Sequence, residues 1–196
     1  MRVTKRRAET KARLLAAAFD VFAAKGFGQT RIDDVCAAAG YTRGAFYSNY
    51  TTLDELFFAL YDERAAQIAA QLTRSLAEPP PDAPLEEVIE RTVATLLLDR
   101  DWLLVKTDFL LHAARNPTLA QRLATHRDDL RQAVQDRLTA VRGQLAPPPA
   151  IPDVEAAAKA VVAAYDGVTL QLVLDGDVTA ARTWLTQLLT ALLTRP

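Results

Sequence analysis

Residues 30–50 read TRIDDVCAAAGYTRGAFYSNY and contain two short helical patterns on either side of one glycine. The first pattern predicts a helix over about 31–39, where Thr30 and Asp33 have the spacing of a capping box. Gly40 ends this helix, and a second short helix is expected over about 42–49. Two short helices joined by a glycine turn are typical of a helix-turn-helix, so this stretch decides the fold class.

One face of this stretch is apolar. Val35, Ala39 and Phe46 are expected to form the seam between the two helices, with Cys36 as a small residue that allows close approach. Tyr50 lies one turn after Phe46 and belongs to the same inner face. The remaining side chains of the second helix are therefore expected to point outward.

The outward side chains suit DNA. Arg43 can make a bidentate contact to guanine or pair with a phosphate, Gly44 permits close approach of the backbone, and the Ala45 methyl group can meet a thymine methyl group. The neighbouring hydroxyl, phenol and amide groups offer donors to phosphate oxygens. We therefore predict a DNA-binding surface made of Thr30, Arg31, Thr42, Arg43, Gly44, Ala45, Tyr47, Ser48 and Asn49.

The charge is distributed unevenly along the chain. The 196 residues carry a net charge of −1, so the total charge does not indicate a polyanion as partner. Residues 1–50, however, hold nine Lys and Arg against four Asp and Glu, whereas residues 51–196 hold fourteen against twenty. This asymmetry favours a basic head that meets a polyanion. Residues 1–9, with Lys5, Arg6 and Arg7, are expected to be a disordered basic arm that adds salt-sensitive affinity.

Helical periodicity continues along the rest of the chain, and no alternating strand pattern occurs, so we predict an all-α fold. A three-helix DNA-binding domain over 10–50 precedes a six-helix domain over 51–196. Thr52 and Glu55 form the capping box that starts the fourth helix. The nine predicted helices span about 10–25, 31–39, 42–49, 52–76, 85–98, 101–115, 118–143, 153–174 and 177–193, with proline-rich loops at 78–84 and 146–153.

Several motifs of the head resemble one family, in the same order. RLLAAAFDVFAAKGF (13–27), TRIDDVCAAAGYT (30–42) and GAFYSNYTTLDEL (44–56) look like the DNA-binding domain of the tetracycline-repressor (TetR) family. The resemblance implies a homodimeric regulator, expected to be a repressor of a palindromic operator, whose divergent helical body binds a small effector. The chain departs from the family at Arg31 and Ala45, where serine or threonine is frequent. It also departs at Tyr50, where phenylalanine is usual, and at Leu53, where many members carry a phosphate-contacting lysine.

The resemblance also implies that the last two helices pair with their counterparts in a four-helix dimer interface. The alternative is that their apolar faces complete the core of the monomer. The residues expected at this interface are Val161, Val168, Leu172, Trp184, Leu188 and Leu192.

An effector pocket is expected among helices 4 to 8, although each candidate is also an ordinary core residue in the alternative interpretation. The candidates are Phe57, Phe58, Tyr61, Trp102, Phe109, His112, Tyr165 and Thr169. Because most of them are aromatic, we predict a largely apolar effector. Asp108, one turn before His112, would orient its imidazole or form a surface pair with it.

Other classes of function have less support in the sequence. Two histidines, one cysteine and the lack of a glycine-rich phosphate loop provide no catalytic constellation, and we predict neither a metal site nor a cofactor. Cys36 is expected to be an inert packing residue rather than a redox sensor. We expect no membrane span and no signal peptide, hence a cytoplasmic, nucleoid-associated protein. The alternative function is a helical small-molecule-binding or adaptor protein without DNA binding, which would show no steep salt-dependent retention on DNA.

Overall fold

The computed structural model describes residues 2–76, 83–96 and 98–194, without the side chains of 2–4 and 68–76. In this part of the chain the regular structure consists of nine α-helices and two short 3-10 turns, at Phe27–Gln29 and Arg142–Gln144. The helices are α1 (Arg2–Lys25), α2 (Ile32–Ala39), α3 (Arg43–Tyr47), α4 (Leu53–Leu76), α5 (Leu85–Thr95), α6 (Arg100–Ala113), α7 (Pro117–Ala140), α8 (Val154–Asp175) and α9 (Val178–Leu193). The predicted all-α class is confirmed. Most of the proline-rich loop predicted at 78–84 lies outside the described residues.

The first helix begins earlier than predicted. α1 starts at Arg2 rather than near Thr10, so the segment that we expected to be a disordered arm is helical over 2–9. Arg, Lys, Ala and Glu dominate this segment, and all four favour helices. Thr10 does not cap the helix, because its hydroxyl donates to the Arg6 carbonyl at 3.0 Å, a bond typical of a residue inside a helix. The basic side chains of this segment therefore have the fixed spacing of a helix surface.

The chain forms two compact units. The first unit comprises residues 1–67 and 104–112, which include α1, α2, α3, the first part of α4 and most of α6. The second unit comprises residues 68–103 and 113–196, which include α5, α7, α8 and α9. The division that we predicted after residue 50 therefore differs from the division by packing, because parts of α4 and α6 belong to the core of the first unit.

Phenylalanine rings form that core. Phe57 of α4 stacks on Phe109 of α6, with ring centroids 3.6 Å apart and an interplanar angle of 10°. Phe27, in the 3-10 turn after α1, packs edge-on against Phe109 at 4.8 Å and against Phe57 at 6.1 Å. Phe22 of α1 lies 5.1 Å from Phe27. Since all four rings are buried, they link α1, α4 and α6 in one aromatic cluster.

A carboxylate of α6 holds the turn after α1. The Phe27 N–H donates to Asp108 Oδ2 at 2.5 Å. Gly26 has a φ of +81°, and a Cβ at this position would lie 3.2 Å from the same oxygen, so both the conformation and the space favour glycine. The expected pairing of Asp108 with His112 was therefore wrong, because Asp108 binds the turn while His112 Nε2 lies 3.2 Å from Asp54 Oδ1.

In the second unit, α8 packs against α7 and α9, and α5 packs against α9. Asp153 and Asp177 cap α8 and α9, because each carboxylate accepts the backbone N–H three residues later. Arg127 of α7 forms an ion pair with Asp166 of α8. Among the described helices, α8 is the one that has the length and composition of a membrane span, a property shared by core helices of soluble proteins.

We expect Asp108→Ala to lower the free energy of unfolding by about 1–3 kcal/mol, because the partly buried Phe27 N–H would lose its acceptor. Asp108→Asn keeps an acceptor oxygen in nearly the same shape and should retain most of the stability. Denaturant unfolding followed by helical circular dichroism measures both variants. Wild-type stability in Asp108→Ala would mean that this hydrogen bond does not stabilise the fold.

Candidate nucleic-acid interface

The turn between α2 and α3 is built around Gly40. Its φ of 69° lies in the left-handed region, which glycine adopts without strain. The N–H of Tyr41 donates to the Cys36 carbonyl at 2.9 Å and closes the end of α2. α3 then begins after Thr42, whose hydroxyl oxygen accepts the Ala45 N–H at 3.3 Å. These local bonds confirm the predicted pair of short helices joined by a glycine turn.

The predicted seam between these helices is also confirmed. Val35 and Phe46 are completely buried, and Ala39 nearly so. Cys36 is buried beside them; burial raises the pKa of its thiol, and the negative charge of Asp33 raises it further. The thiol therefore stays protonated at neutral pH, as expected for a small packing residue.

The start of α2 differs from the predicted capping box by one position. The cap is Arg31, whose N–H donates to Asp34 Oδ2 at 2.8 Å. Asp34 also accepts from Lys25 Nζ at 2.6 Å, and these two bonds, that of Lys25 first, lower the pKa of Asp34. Thr30 is buried before the cap, and its hydroxyl donates to a backbone carbonyl of the preceding turn. The predicted pair of Thr30 with Asp33 was therefore wrong, and the donor of Thr30 is engaged inside the fold.

The outward side of α3 carries Arg43, Gly44 and Tyr47, all exposed. Arg43 Nη2 donates to the Tyr47 hydroxyl at 3.4 Å, and Arg43 Nε lies 3.5 Å from Asp33 Oδ1. The bond to Tyr47 and the charge of Asp33 both raise the pKa of Arg43, so this side chain is a permanent cation. Ala45 is partly exposed between these residues. Their position on one face agrees with the predicted surface.

Ser48 and Asn49 end α3. The Ser48 hydroxyl and the Asn49 amide each donate to the Ala45 carbonyl at 2.8 Å. The donors that we assigned to phosphate oxygens are thus used within the turn, as short polar side chains often are at helix ends. The predicted role of these two residues as phosphate donors does not fit this geometry.

Three basic residues of α1 lie beside α3, and sequence reasoning placed none of them there. Arg7 donates to a carbonyl at the end of α3 at 3.3 Å. Lys11 Nζ lies 5.3 Å from the centroid of the Tyr50 ring, and the Arg13 guanidinium lies 5.2 Å from that of Tyr41. The signal was present, because Arg7 and Lys11 are one helical turn apart, but we expected α1 to begin after Arg7.

We define the α3 surface as Thr42, Arg43, Gly44, Ala45 and Tyr47 together with the basic residues Arg7, Lys11 and Arg13 and the exposed Arg31 at the start of α2. Cations at the periphery suit phosphates, while one arginine among small residues suits base edges in a groove. The described part of the chain contains no group of three or more His, Cys, Asp or Glu that could hold a metal ion.

Two family models match the chain. The model of the bacterial regulatory proteins of the tetR family matches residues 14–60, and that of the BetI-type transcriptional repressor C-terminal domain matches residues 81–194, more than half of the chain. The chain belongs to the TetR family. This family consists of DNA-binding transcriptional regulators rather than enzymes, which argues against the alternative of a carrier or adaptor without DNA binding.

Relatives of this TetR regulator include the HTH-type transcriptional regulator CymR of Pseudomonas putida, with 31% identity over 128 residues. That match covers 65% of this chain and 63% of CymR, less than two thirds of the relative. A transcriptional regulator from Rhodococcus sp. Rha1 is 22% identical, with a TM-score of 0.73 over 93% of this chain and 95% of its own. A candidate regulator from Saccharomonospora viridis in complex with choline is 18% identical, with a TM-score of 0.73 over 96% and 100%. At these identities, the two structures show a common fold.

Five of the predicted pocket residues lie in the first unit of the TetR regulator. Phe57, Phe58 and Phe109 are completely buried in the core of this unit. Tyr61 is partly exposed, with its ring centroid 6.1 Å from that of Phe57. The ring of His112 packs 5.8 Å from Phe109 and is also partly exposed.

The other three predicted pocket residues lie in the second unit. Trp102 and Thr169 are buried, and the Thr169 hydroxyl donates to the Tyr165 carbonyl at 2.8 Å within α8. Tyr165 is partly exposed. The position of the effector pocket therefore stays a prediction, with Tyr61, His112 and Tyr165 as the candidates that keep accessible surface.

The residues predicted for a dimer interface on α8 and α9 differ in burial, and the interface itself stays a prediction. Val168 and Leu172 are buried within the second unit and belong to its core. Leu170 and Leu174, between and beyond them on α8, are exposed instead and were missed. α8 is apolar on nearly all sides, so the sequence did not indicate which side faces outward. On α9 the predicted Trp184 and Leu188 are exposed, and Leu192 on α9 and Val161 on α8 are partly so.

Tyr50 provides a test of packing beneath the α3 surface. Its hydroxyl is buried without a hydrogen-bond partner among the described residues. We expect Tyr50→Phe to raise the free energy of unfolding by about 1–3 kcal/mol, because the unsatisfied group is removed while the ring stays. Tyr47→Phe is the matched control, since it deletes an exposed hydroxyl and should bring no such gain. A loss of stability in Tyr50→Phe would mean that the hydroxyl is hydrogen-bonded in solution.

Tyr50→Phe should also change how the free energy of unfolding depends on pH. Burial, then the charges of Glu63 and Glu55, raise the pKa of Tyr50 from 10.0 to about 12. Between these values the unfolded chain releases a proton that the folded chain retains, so the stability of the wild type falls as pH rises from 10 to 12. Tyr50→Phe should lack this part of the loss.

Proposed function

We propose that this TetR-family protein is a repressor that binds a palindromic operator as a homodimer and is released by a small, largely apolar effector. It would act in the cytoplasm, on nucleoid DNA. The observation that carries the proposal is an apolar stripe on α8 and α9 that no other part of the described chain covers. A second copy of the chain is the occupant that this stripe fits.

The stripe follows one side of each helix. Ala163, Gly167, Leu170 and Leu174 recur on α8 at helical spacing, and Leu174 is 82% exposed. On α9, Trp184, which is 57% exposed, lies at helical spacing from the exposed Leu188 and Ala191. Soluble monomers rarely leave a contiguous patch of large apolar residues in water, so burial against an identical helix pair is favoured. Gly167 and Ala163 are small enough to let two helices approach closely.

A dimer about a two-fold axis carries two α3 surfaces. Such a pair reads two half-sites about 34–36 Å apart along the duplex, or a multiple of that distance, in a sequence with matching two-fold symmetry. Arg43 is the residue that we assign to a guanine, with Gly44 and Ala45 at the floor of the groove. The Thr42 and Tyr47 hydroxyls, Arg31 and the α1 cations would hold the phosphates.

Selection of bound duplexes from a random pool tests this proposal directly. We expect enrichment of a palindrome, with affinity that falls steeply as salt rises because phosphate contacts release counterions. An enriched sequence without two-fold symmetry would contradict the dimeric interpretation. No enrichment at all would contradict operator binding by this chain.

Two leucines of nearly equal exposure provide the control. Leu188 of α9 is 37% exposed and lies in the stripe, whereas Leu130 of α7 is 39% exposed and lies outside it. Leu188→Glu should yield monomers in sedimentation experiments and lose the palindrome, because a charge would be buried at the interface. Leu130→Glu should stay dimeric and select the same palindrome as the wild type.

Release by an effector requires that a conformational change in the effector-binding domain alters the position of the DNA-binding heads. α4 and α6 are continuous helices with residues in both units. We propose that these helices carry a change from one unit to the other. We propose that effector binding favours a state in which α4 moves the two heads out of register with the major grooves. Tyr61, His112 and Tyr165 are the accessible aromatic candidates for contact with the effector.

We expect small apolar or aromatic compounds to raise the melting temperature and to weaken binding to the selected operator. A reporter gene placed behind that operator should be silent with the regulator alone and active when the compound is added. Choline is an informative additional probe, because the S. viridis neighbour was crystallised with it and aromatic side chains also bind quaternary ammonium groups. If choline is the only compound that stabilises the protein, the effector is cationic and the prediction of an apolar effector is wrong. A ligand that binds tightly without changing operator affinity would contradict the release mechanism.

A further inference from the structure

Asp33 of α2 faces the arginine of α3 across the glycine turn. Its Oδ1 lies 3.5 Å from Arg43 Nε. On the other side, Arg43 Nη2 donates to the Tyr47 hydroxyl at 3.4 Å, with the guanidinium carbon 6.0 Å from the Tyr47 ring centroid. The guanidinium is thus held between a carboxylate and a phenol.

The neighbouring carboxylate has a different role. Asp34 accepts the Arg31 N–H at the start of α2 and pairs with Lys25 at the end of α1. Asp34 is therefore engaged in the fold of the head. Among the described residues, Asp33 accepts no hydrogen bond from a backbone N–H as Asp34 does. Its ion pair is with Arg43, a residue of the α3 surface.

Stability does not explain this pair. The Arg43 side chain is 60% exposed and that of Asp33 is 65% exposed, and ion pairs so exposed to water contribute little to folding. Near DNA, the carboxylate also repels the phosphates that the surrounding cations attract. The Asp33 carboxylate therefore lowers the affinity for DNA of any sequence. A favourable effect of this residue has to come from the orientation that it gives to the Arg43 side chain.

A free arginine side chain has many rotamers and pairs readily with whichever phosphate is near. An arginine held at Nε by a carboxylate has less freedom to lose and presents its remaining N–H groups in a defined direction. Such a fork matches the O6 and N7 acceptors of guanine in the major groove. The same carboxylate makes an approach of phosphate to Arg43 unfavourable.

We propose that Asp33 is a specificity-determining residue, which positions Arg43 for a guanine of the operator and disfavours its use as a phosphate contact. The inference rests on the proposed role of α3 as the recognition helix. It goes beyond that role because it divides the surface into residues that provide affinity and a pair that provides discrimination.

The test compares the duplexes that each variant selects from one random pool. Asp33→Asn keeps the shape of the side chain and removes the charge. We expect its preference for the guanine to fall by about tenfold, within the range of one bidentate base contact. Its affinity for an unrelated duplex should rise by about twofold to fivefold, the size of one exposed charge interaction. Asp33→Glu should restore part of the preference, whereas a purely structural role would appear in the melting temperature instead.

Asp20→Asn is the matched control. Asp20 is an exposed carboxylate of α1, so the substitution makes the same change in net charge without touching Arg43. It should leave the guanine preference as in the wild type. If Asp33→Asn strengthens binding to all duplexes equally and keeps the preference, Asp33 is merely a repulsive charge and the proposal is overturned.

Arg43→Ala separates this proposal from the one on which it rests. If Arg43→Ala leaves base preference unchanged, α3 does not read the operator through Arg43, and the proposed recognition itself fails. If Arg43→Ala loses the preference while Asp33→Asn keeps it, recognition stands and the role of Asp33 fails. In the double variant, Asp33→Asn should have no further effect on preference. A further loss there would mean that Asp33 contacts a base itself, which also overturns the positioning role.

Discussion

The stacking of Phe57 on Phe109, with Phe27 against their edges, is the interaction on which the DNA-binding head depends. The segment from α1 to α3 is too short to bury a sufficient core of its own. The head completes its core with rings from α4 and α6, and the Asp108 carboxylate fixes the turn that brings Phe27 into place. The position of the α3 surface therefore depends on packing against α4 and α6, which lie outside the helix-turn-helix motif.

This shared core limits how the proposed release by an effector could work. A ligand that worked by breaking the aromatic cluster would expose several large apolar rings, at a cost comparable to the stability of the whole unit. Displacement of α4 and α6 with the cluster intact costs far less, since packed elements move as bodies.

The parts of the fold that depend on local chemistry could be predicted from the sequence, and the parts that depend on packing could not. Gly40, Thr42 and the inner face with Val35 and Phe46 follow from turn geometry and helical spacing, so the helix-turn-helix was predicted correctly. The outward side of α8 was not, because apolar residues surround that helix and give its pattern no direction. Pocket and core aromatics likewise have the same sequence signature, so the sequence did not show that Phe57 and Phe109 are completely buried, and the pocket stays a prediction. At α1, basic composition was taken as a sign of disorder although the same residues favour helix.

The error at α1 also changes how the charges of the head are understood. A disordered arm would add attraction without direction, whereas a helix places Arg7, Lys11 and Arg13 at defined points beside α3. If these fixed cations at the periphery hold the phosphate backbone, as we propose, Arg43 is not needed for that purpose. The ion pair of Arg43 with Asp33 removes one cation from contact with phosphates. If other cations make those contacts, the pair is compatible with tight binding to DNA. In this arrangement, affinity is assigned to α1 and discrimination to the pair of Asp33 on α2 and Arg43 on α3. Asp33 and Asp34 follow each other at the start of α2, and only Asp34 serves the fold.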